Sequence, residues 1–248
     1  MLKITQTQRR YRVFDKKTVK RLIGVIKNLS TYTVEGPSRS KIIDVYYDSE
    51  KKILAENNLI LRKRIYGAKS EIKLKRSVVS PEFIYADTLR KHEREQKVAT
   101  KDPLSKHYFF LNNALNSMYT NALKFDPDKL FEQMKVALTI DIPRETYKVF
   151  GPGGFKAELN GEIFKVKNYQ TNRKNTTEFL QIRLISGETT LQYYEDFIKR
   201  IEKYCKEILY TTDSRYQIAV NVTKPLPTKE ELAKMKLEKQ KEQIEGDF

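Results

Sequence analysis

Charged side chains recur two residues apart in several extended runs of this chain. In Leu61-Arg62-Lys63-Arg64 both arginines fall on one face, and in Glu71-Ile72-Lys73-Leu74-Lys75 the charged trio lies opposite Ile72 and Leu74. Lys156, Glu158 and Asn160 alternate with Phe155, Ala157 and Leu159, and Gln181 and Arg183 alternate with Leu180, Ile182 and Leu184. Near the start, Gln6, Gln8, Arg10 and Arg12 share a face against Thr7, Arg9, Tyr11 and Val13. Guanidinium forks match phosphate oxygens bidentately, so such faces suit recognition of a phosphate-rich anion. Phosphoryl-transfer chemistry would further require carboxylates that hold a divalent metal ion.

A strand with one apolar and one ionic face can be used in two ways. The apolar face packs inward and the charges meet water, as in many half-buried antiparallel sheets. Alternatively, the apolar faces pack on outer helices and the ionic faces line a wet tunnel.

Charge and composition narrow the partners. The net charge of +16 and pI near 9.6 favour a polyanion, whether nucleic acid, nucleotide, polyphosphate or an anionic surface, or else reflect a lysine-rich solvated exterior. Cys205 is the single cysteine, which rules out an intrachain disulfide and points to a reducing compartment. With His92 and His107 the only histidines, a His-based metal site or a Ser-His-Asp triad is disfavoured. No apolar run is long enough to span a bilayer and Met1-Leu2-Lys3-Ile4-Thr5 lacks a signal-peptide core, so a cytoplasmic protein is expected.

The elements that would position these residues are mostly strands. Strand patterning covers residues 3–13, 41–47, 59–66, 69–78, 89–99, 136–149, 155–159, 162–167, 178–186 and 214–222. Gly67-Ala68 joins two of them as a hairpin. Helical spacing marks residues after Asp15 through Leu29 and residues 190–208, a short turn is expected over 51–58, and residues 104–133 read as a helical insertion. No βαβ alternation is present. The expected fold class is therefore α+β: an antiparallel β-barrel with outer helices over 1–224, followed by a charged tail, 225–248.

The order of short motifs resembles the CYTH and VTC-type triphosphate-tunnel superfamily. Val45-Tyr46-Tyr47-Asp48-Ser49 is similar to its Tyr-Tyr-Asp signature, followed by a Leu-rich turn, Leu54 to Leu59, and an Arg-x-Arg strand, Arg62 to Arg64. Glu71-Ile72-Lys73 matches its Glu-x-Lys strand, Arg144-Glu145-Thr146-Tyr147 its Arg-x-x-Tyr strand, and Ser214-Arg215-Tyr216 its closing segment. The resemblance implies a tunnel whose interior cations hold a triphosphate or polyphosphate beside metal-binding carboxylates. Carried onto this chain, it makes Arg10, Arg62, Arg64, Lys73, Arg144 and Arg215 the phosphate-binding set, with Lys75, Arg94, Lys156 and Arg183 as further candidates.

Acidic positions of the pattern are amides here. The first strand reads Gln6-Thr7-Gln8-Arg9-Arg10-Tyr11, the late strand reads Gln181-Ile182-Arg183, and Asn160 stands where the resemblance implies an Asp. A neutral amide is a poor ligand for a hard divalent ion. Glu71 and Glu158 remain as ligands for Mg²⁺ or Mn²⁺ in an active chain, while Glu93 and Glu95 suit an ion network. Three functions follow: a catalytically impaired tunnel protein holding a nucleoside triphosphate or polyphosphate, with no catalytic residues and no cofactor; a metal-dependent triphosphatase or polyphosphate polymerase; or a structural subunit of a larger assembly, phage or viral and then located in the virion, with the tail contacting a protein partner. General nucleic-acid binding lacks a recognisable module.

Overall fold

The structure is a computed structural model that describes residues 8–15, 17–78, 92–99, 111, 113, 127–185 and 190–225. In chain order the strands are β1 (Gln8–Val13), β2 (Thr33–Asp48), β3 (Leu59–Tyr66), β4 (Lys69–Val78), β5 (His92–Ala99), β6 (Lys135–Phe150), β7 (Lys156–Asn168), β8 (Arg173–Leu184) and β9 (Ile208–Thr211). The helices used below are α1 (Thr18–Asn28), α2 (Ile53–Glu56), α3 (Pro127–Glu132), α4 (Leu191–Tyr204) and α5 (Arg215–Val222). All nine strands form one antiparallel sheet in the order β5-β4-β3-β2-β6-β7-β8-β1-β9. Among the described residues no helix is long and apolar enough to cross a membrane.

The sheet curls strongly. Strands β2 and β8 stand three places apart, about 14 Å in a flat sheet at ~4.8 Å per step. Yet Asp44 on β2, Glu162 on β7 and Gln181 on β8 all lie within 4.0 Å of the guanidinium of Arg215. One face is therefore concave, and it carries the ionic side chains.

The opposite, convex face is apolar and covered. Leu22, Ile23 and Ile26 of α1 and Tyr194, Phe197, Ile198 and Ile201 of α4 pack on Tyr11, Leu159, Leu180 and Ile182. Gly161 lets β7 pass close to α1, since a Cβ there would come within 3.2 Å of Val19. A second cluster seats α2 and α3 against Leu59, Leu61, Ile72 and Leu74. A fully buried Leu or Ile stabilises by about 1.5–3 kcal/mol, so the outer helices supply the driving force that leaves the ionic face turned inward. One end of the concavity is also apolar: Ile140, Phe164, Val166 and Phe179 pack there with Ile218 and Ala219 of α5.

Several expected elements differ. Residues 214–222 were patterned as a strand but form α5. Ser214 Oγ accepts the Gln217 amide N–H and the Gln217 side chain accepts the Ser214 N–H, a reciprocal capping box that starts a helix. The two short runs 155–159 and 162–167 are one strand, β7, because Gly161 continues the pairing with Leu180. β2 begins at Thr33 rather than Lys41; its first half is polar and exposed, which hides the alternation, and it contains a bulge between Glu35 and Ser38. The helix expected over 190–208 ends at Tyr204, and β9 was not anticipated. The 59–66 and 69–78 hairpin about Gly67-Ala68 is as expected, with Tyr66 opposite Lys69. Most of the expected insertion 104–133 and residues 226–248 of the tail lie outside the described residues.

Replacing Ser214 by Ala removes the cap of α5 and should destabilise the protein by about 1 kcal/mol; a urea unfolding midpoint unchanged from wild type would contradict the capping role. Leu159→Ala, at the centre of the convex core, should cost ~2–5 kcal/mol in the same experiment.

Candidate anion-binding site

Each strand of the concave face contributes side chains of one parity. β1 supplies Gln8 and Arg10, β2 Asp44 and Tyr46, β3 Arg62 and Arg64, β4 Glu71, Lys73 and Lys75, β6 Arg144, β7 Glu158, Asn160 and Glu162, and β8 Gln181 and Arg183. α5 adds Arg215 from its first turn.

The carboxylates are compensated by cations. Arg64 grips Asp44 with Nε and Nη2, both at 2.6 Å, in a fork-on-fork pair. Burial pushes the Asp44 carboxyl up, but the Arg64 hydrogen bonds and the charges of Arg64, Arg62 and Arg215 outweigh it and hold the group below the usual range. Glu162, fully buried, accepts from Arg144 and from Arg215, the latter at 2.5 Å. Burial opposes its ionisation too, and the charges of Arg215 and Arg144 more than offset it, so it stays a carboxylate. Glu71 lies 3.3 Å from Arg62 and 3.6 Å from Lys73, and Glu158 is hydrogen-bonded to Arg183.

Cations nevertheless crowd one another. Burial first, and then the Arg215 charge, pull the Arg10 guanidinium down to about 10. Its Nη1 donates to the main-chain oxygen of Asp213 at 2.8 Å. Arg144 is lowered as well, by burial and by Arg215 and Arg64, against the pull of Glu162. The Nε–H groups of Arg10, Arg62, Arg144 and Arg215 are buried without an acceptor, and Glu162 Oε2 is buried without a donor. Buried donors left unpaired cost about 1–3 kcal/mol each, so a polyanion that reached them would be strongly favoured.

The Gln181 amide makes one bond that a carboxylate could not, a donated one. Because a guanidinium only donates, Gln181 turns its Oε1 to Arg215 Nη2 at 3.1 Å, which leaves Nε2 to donate to Gln8 Oε1 at 2.7 Å. Two carboxylates at these positions would repel. Asn160 accepts from the Thr146 hydroxyl at 2.7 Å. Among the described residues no group of three or more His, Cys, Asp or Glu is arranged to hold a metal ion. Glu71 and Glu158, the expected ligands, sit on β4 and β7 with cationic partners of their own. This donor set does not fit a Mg²⁺ or Mn²⁺ site.

Of the residues singled out from sequence, Arg10, Arg62, Arg64, Lys73, Lys75, Arg144, Arg183 and Arg215 share the concave face. Lys156 is on the same parity but exposed at the start of β7. Arg94 lies on β5 opposite Arg76, its side chain outside the described residues, as are those of Glu93 and Glu95. Asp44 and Glu162, the central carboxylates, were not singled out. Glu162 continues the parity of Glu158 and Asn160, and Asp44 that of Tyr46, which is the signal that would have found them. Asp48, the acid of the Tyr-Tyr-Asp run, faces no ligand: it accepts the amide N–H groups of Ser49, Leu54 and Ala55 at 2.8, 3.0 and 3.1 Å and so folds α2 onto the sheet. Cys205 is buried and its thiol pushed up by burial, which disqualifies it as a nucleophile.

No protein-family model and no curated protein sequence matches the chain. Solved structures do. A protein from Hippeastrum, provisionally described as an adenylyl cyclase and reported to show a dominant triphosphatase activity, superposes with a TM-score of 0.53 at 14% identity over 90% of this chain and 98% of its own. A protein from Bacillus halodurans, likewise provisionally an adenylate cyclase, gives a TM-score of 0.49 at 14% identity over 86% and 95% of the two chains. The chain shares the fold of the Hippeastrum protein, an antiparallel sheet with outer helices, as the ordered motifs implied.

Asp44 and Glu162 are held below their unfolded values, so the stability they contribute is complete above the unfolded carboxylate range and is lost as pH falls through about 4 and below. Asp44→Asn should strip Arg64 of its counter-charge, destabilise the fold by about 3–5 kcal/mol at neutral pH and flatten the acid limb of the stability profile. An acid limb as steep as that of wild type would show that Asp44 is not among the groups responsible.

Proposed function

We propose that the chain binds a phosphate-rich anion, a nucleoside triphosphate or polyphosphate, on the concave face and does not turn it over. The observation that carries this reading is the excess of buried guanidinium: four buried Nε–H donors lack an acceptor, and Arg10 and Arg144 are lowered by burial first and then by the charge of Arg215. Phosphate oxygens supply acceptors and charge together, and arginine forks match them in pairs. Arg10, Arg62, Arg64, Lys73, Arg144 and Arg215 form the binding set, with Lys75, Arg183 and Lys156 widening it; Arg94, paired with Arg76 on β5, has the parity of Ile72 and Leu74 instead and is not included. The absence of turnover follows from the donor chemistry: amides occupy Gln8, Asn160 and Gln181, and the remaining acids are committed to cations.

The triphosphatase activity described for the Hippeastrum protein keeps a second reading in view, an active metal-dependent triphosphatase. Isothermal titration with ATP and with tripolyphosphate, with and without Mn²⁺, alongside a phosphate-release assay, separates the two. Binding without product, weakened by salt, is expected. Arg10→Ala or Arg144→Ala should each weaken it by about 1.5–3 kcal/mol, the worth of a charge-assisted hydrogen bond. Mn²⁺-dependent phosphate release would assign the chain to the triphosphatases instead.

A further inference from the structure

Three side-chain oxygens from three strands converge on one guanidinium. Glu162 Oε1 of β7 lies 2.5 Å from Arg215 Nη2, Gln181 Oε1 of β8 lies 3.1 Å from the same nitrogen, and Asp44 Oδ2 of β2 lies 4.0 Å from Nη1. Hard oxygens gathered from several strands around a single point are the surroundings a divalent cation requires. Here the point is occupied by a cation that belongs to the chain. Glu162 Oε2, fully buried and without a hydrogen-bond partner, adds a further oxygen beside it.

The guanidinium is held firmly in this position. It rises from the first turn of α5, which the Ser214–Gln217 capping box fixes at its start. At the other end, Asn168 donates to the Thr223 hydroxyl at 3.0 Å and Asn175 to the Val222 carbonyl at 2.7 Å, tying the helix to β7 and β8. The Arg215 Cζ also lies 5.8 Å from the centroid of the Phe164 ring, a cation–π contact within the apolar end of the concavity.

We propose that Arg215 is a built-in counter-cation that takes the place of a divalent metal ion, so that the concave face binds its anion without one. Charge accounts for the fit. Asp44 is already matched by Arg64, and Glu162 is shared between Arg144 and Arg215, so a divalent ion added here would meet no uncompensated carboxylate and several guanidinium groups. Exchanging an acid for Gln181 belongs to the same arrangement: the amide oxygen accepts from Arg215 while its nitrogen binds Gln8, and no surplus negative charge remains to recruit a metal.

The proposal that anion binding is metal-free rests on the functional reading above; the occupancy of the oxygen cluster by Arg215 does not. The test therefore reads Mn²⁺ on the protein alone, by electron paramagnetic resonance of free Mn²⁺ during titration into the full chain. Wild type is expected to take up no Mn²⁺ at millimolar concentration, Arg215→Ala to gain a site at least about tenfold tighter, and Glu162→Gln combined with Arg215→Ala to lose it again. Stoichiometric Mn²⁺ uptake by wild type that Glu162→Gln abolishes would overturn the proposal, and so would a folded Arg215→Ala that gains nothing. Should Arg215→Ala fail to fold, Arg215→Gln, which leaves Glu162 and Gln181 a neutral hydrogen-bond donor, takes its place: Mn²⁺ uptake is expected, and a folded variant that gains none would overturn the proposal. Tripolyphosphate affinity in wild type should differ by less than about twofold between chelator and Mn²⁺ after correction for the metal–polyphosphate equilibrium, and a Mn²⁺ requirement would overturn the metal-free claim. If tripolyphosphate does not bind at all, the functional reading falls while the Mn²⁺ result stands.

Discussion

The carboxylate of Glu162, buried and held between Arg144 and Arg215, is the interaction on which the interior depends. An isolated carboxylate at that depth would be expelled or neutralised, and two isolated guanidinium groups would fare no better. Together they tie β6, β7 and α5 to one point, and Arg215 carries the link on to Asp44 of β2 and Gln181 of β8. The curl of the sheet and the position of its last helix are fixed by the same few charged atoms. Such a network stabilises little relative to an apolar core, but removing one member strands the others.

That network is tolerated because the hydrophobic driving force lies elsewhere. Two apolar layers cover the convex face, one under α1 and α4 and the other under α2 and α3. The apolar end formed with α5 adds a third. With the cores placed outside, the concave face is free to carry charge. Asp48 contributes from a distance, since its three main-chain hydrogen bonds fold α2 against β3 and thereby orient the strand that carries Arg62 and Arg64.

The amides of the concave face are paired with neutral partners as well as with Arg215. Gln8 and Gln181 bond to each other directly, and Asn160 bonds to Thr146. These positions therefore supply hydrogen bonds without negative charge. Burial lowers Arg10 and Arg144, and the charge of Arg215 lowers both further. The unpaired Nε–H donors of this face are what the proposed anion would meet.

Much of the frame was legible in sequence. Period-two alternation in residues 59–66, 69–78 and 136–149 marked strands and their faces, and period-3.6 spacing of Leu22, Ile26, Phe197 and Ile201 marked the covering helices. Parity along a strand is a local property and put Arg10 and Arg12, and Arg62 and Arg64, each on one face, whereas Arg144 and Arg215 were singled out through the resemblance alone. Whether that parity faced water or an enclosed concavity was not local, since both arrangements have the same alternation. Nor could sequence tell that residues 215–222 would be helical, because a capping box competes with strand patterning and packing against Phe164 and Ile140 decides the outcome. The partners of each charge were likewise settled by tertiary structure alone. Asp44 meets Arg64 across adjacent strands, but Glu162 meets Arg215 across 53 residues of chain, and only the curl of the sheet brings them together.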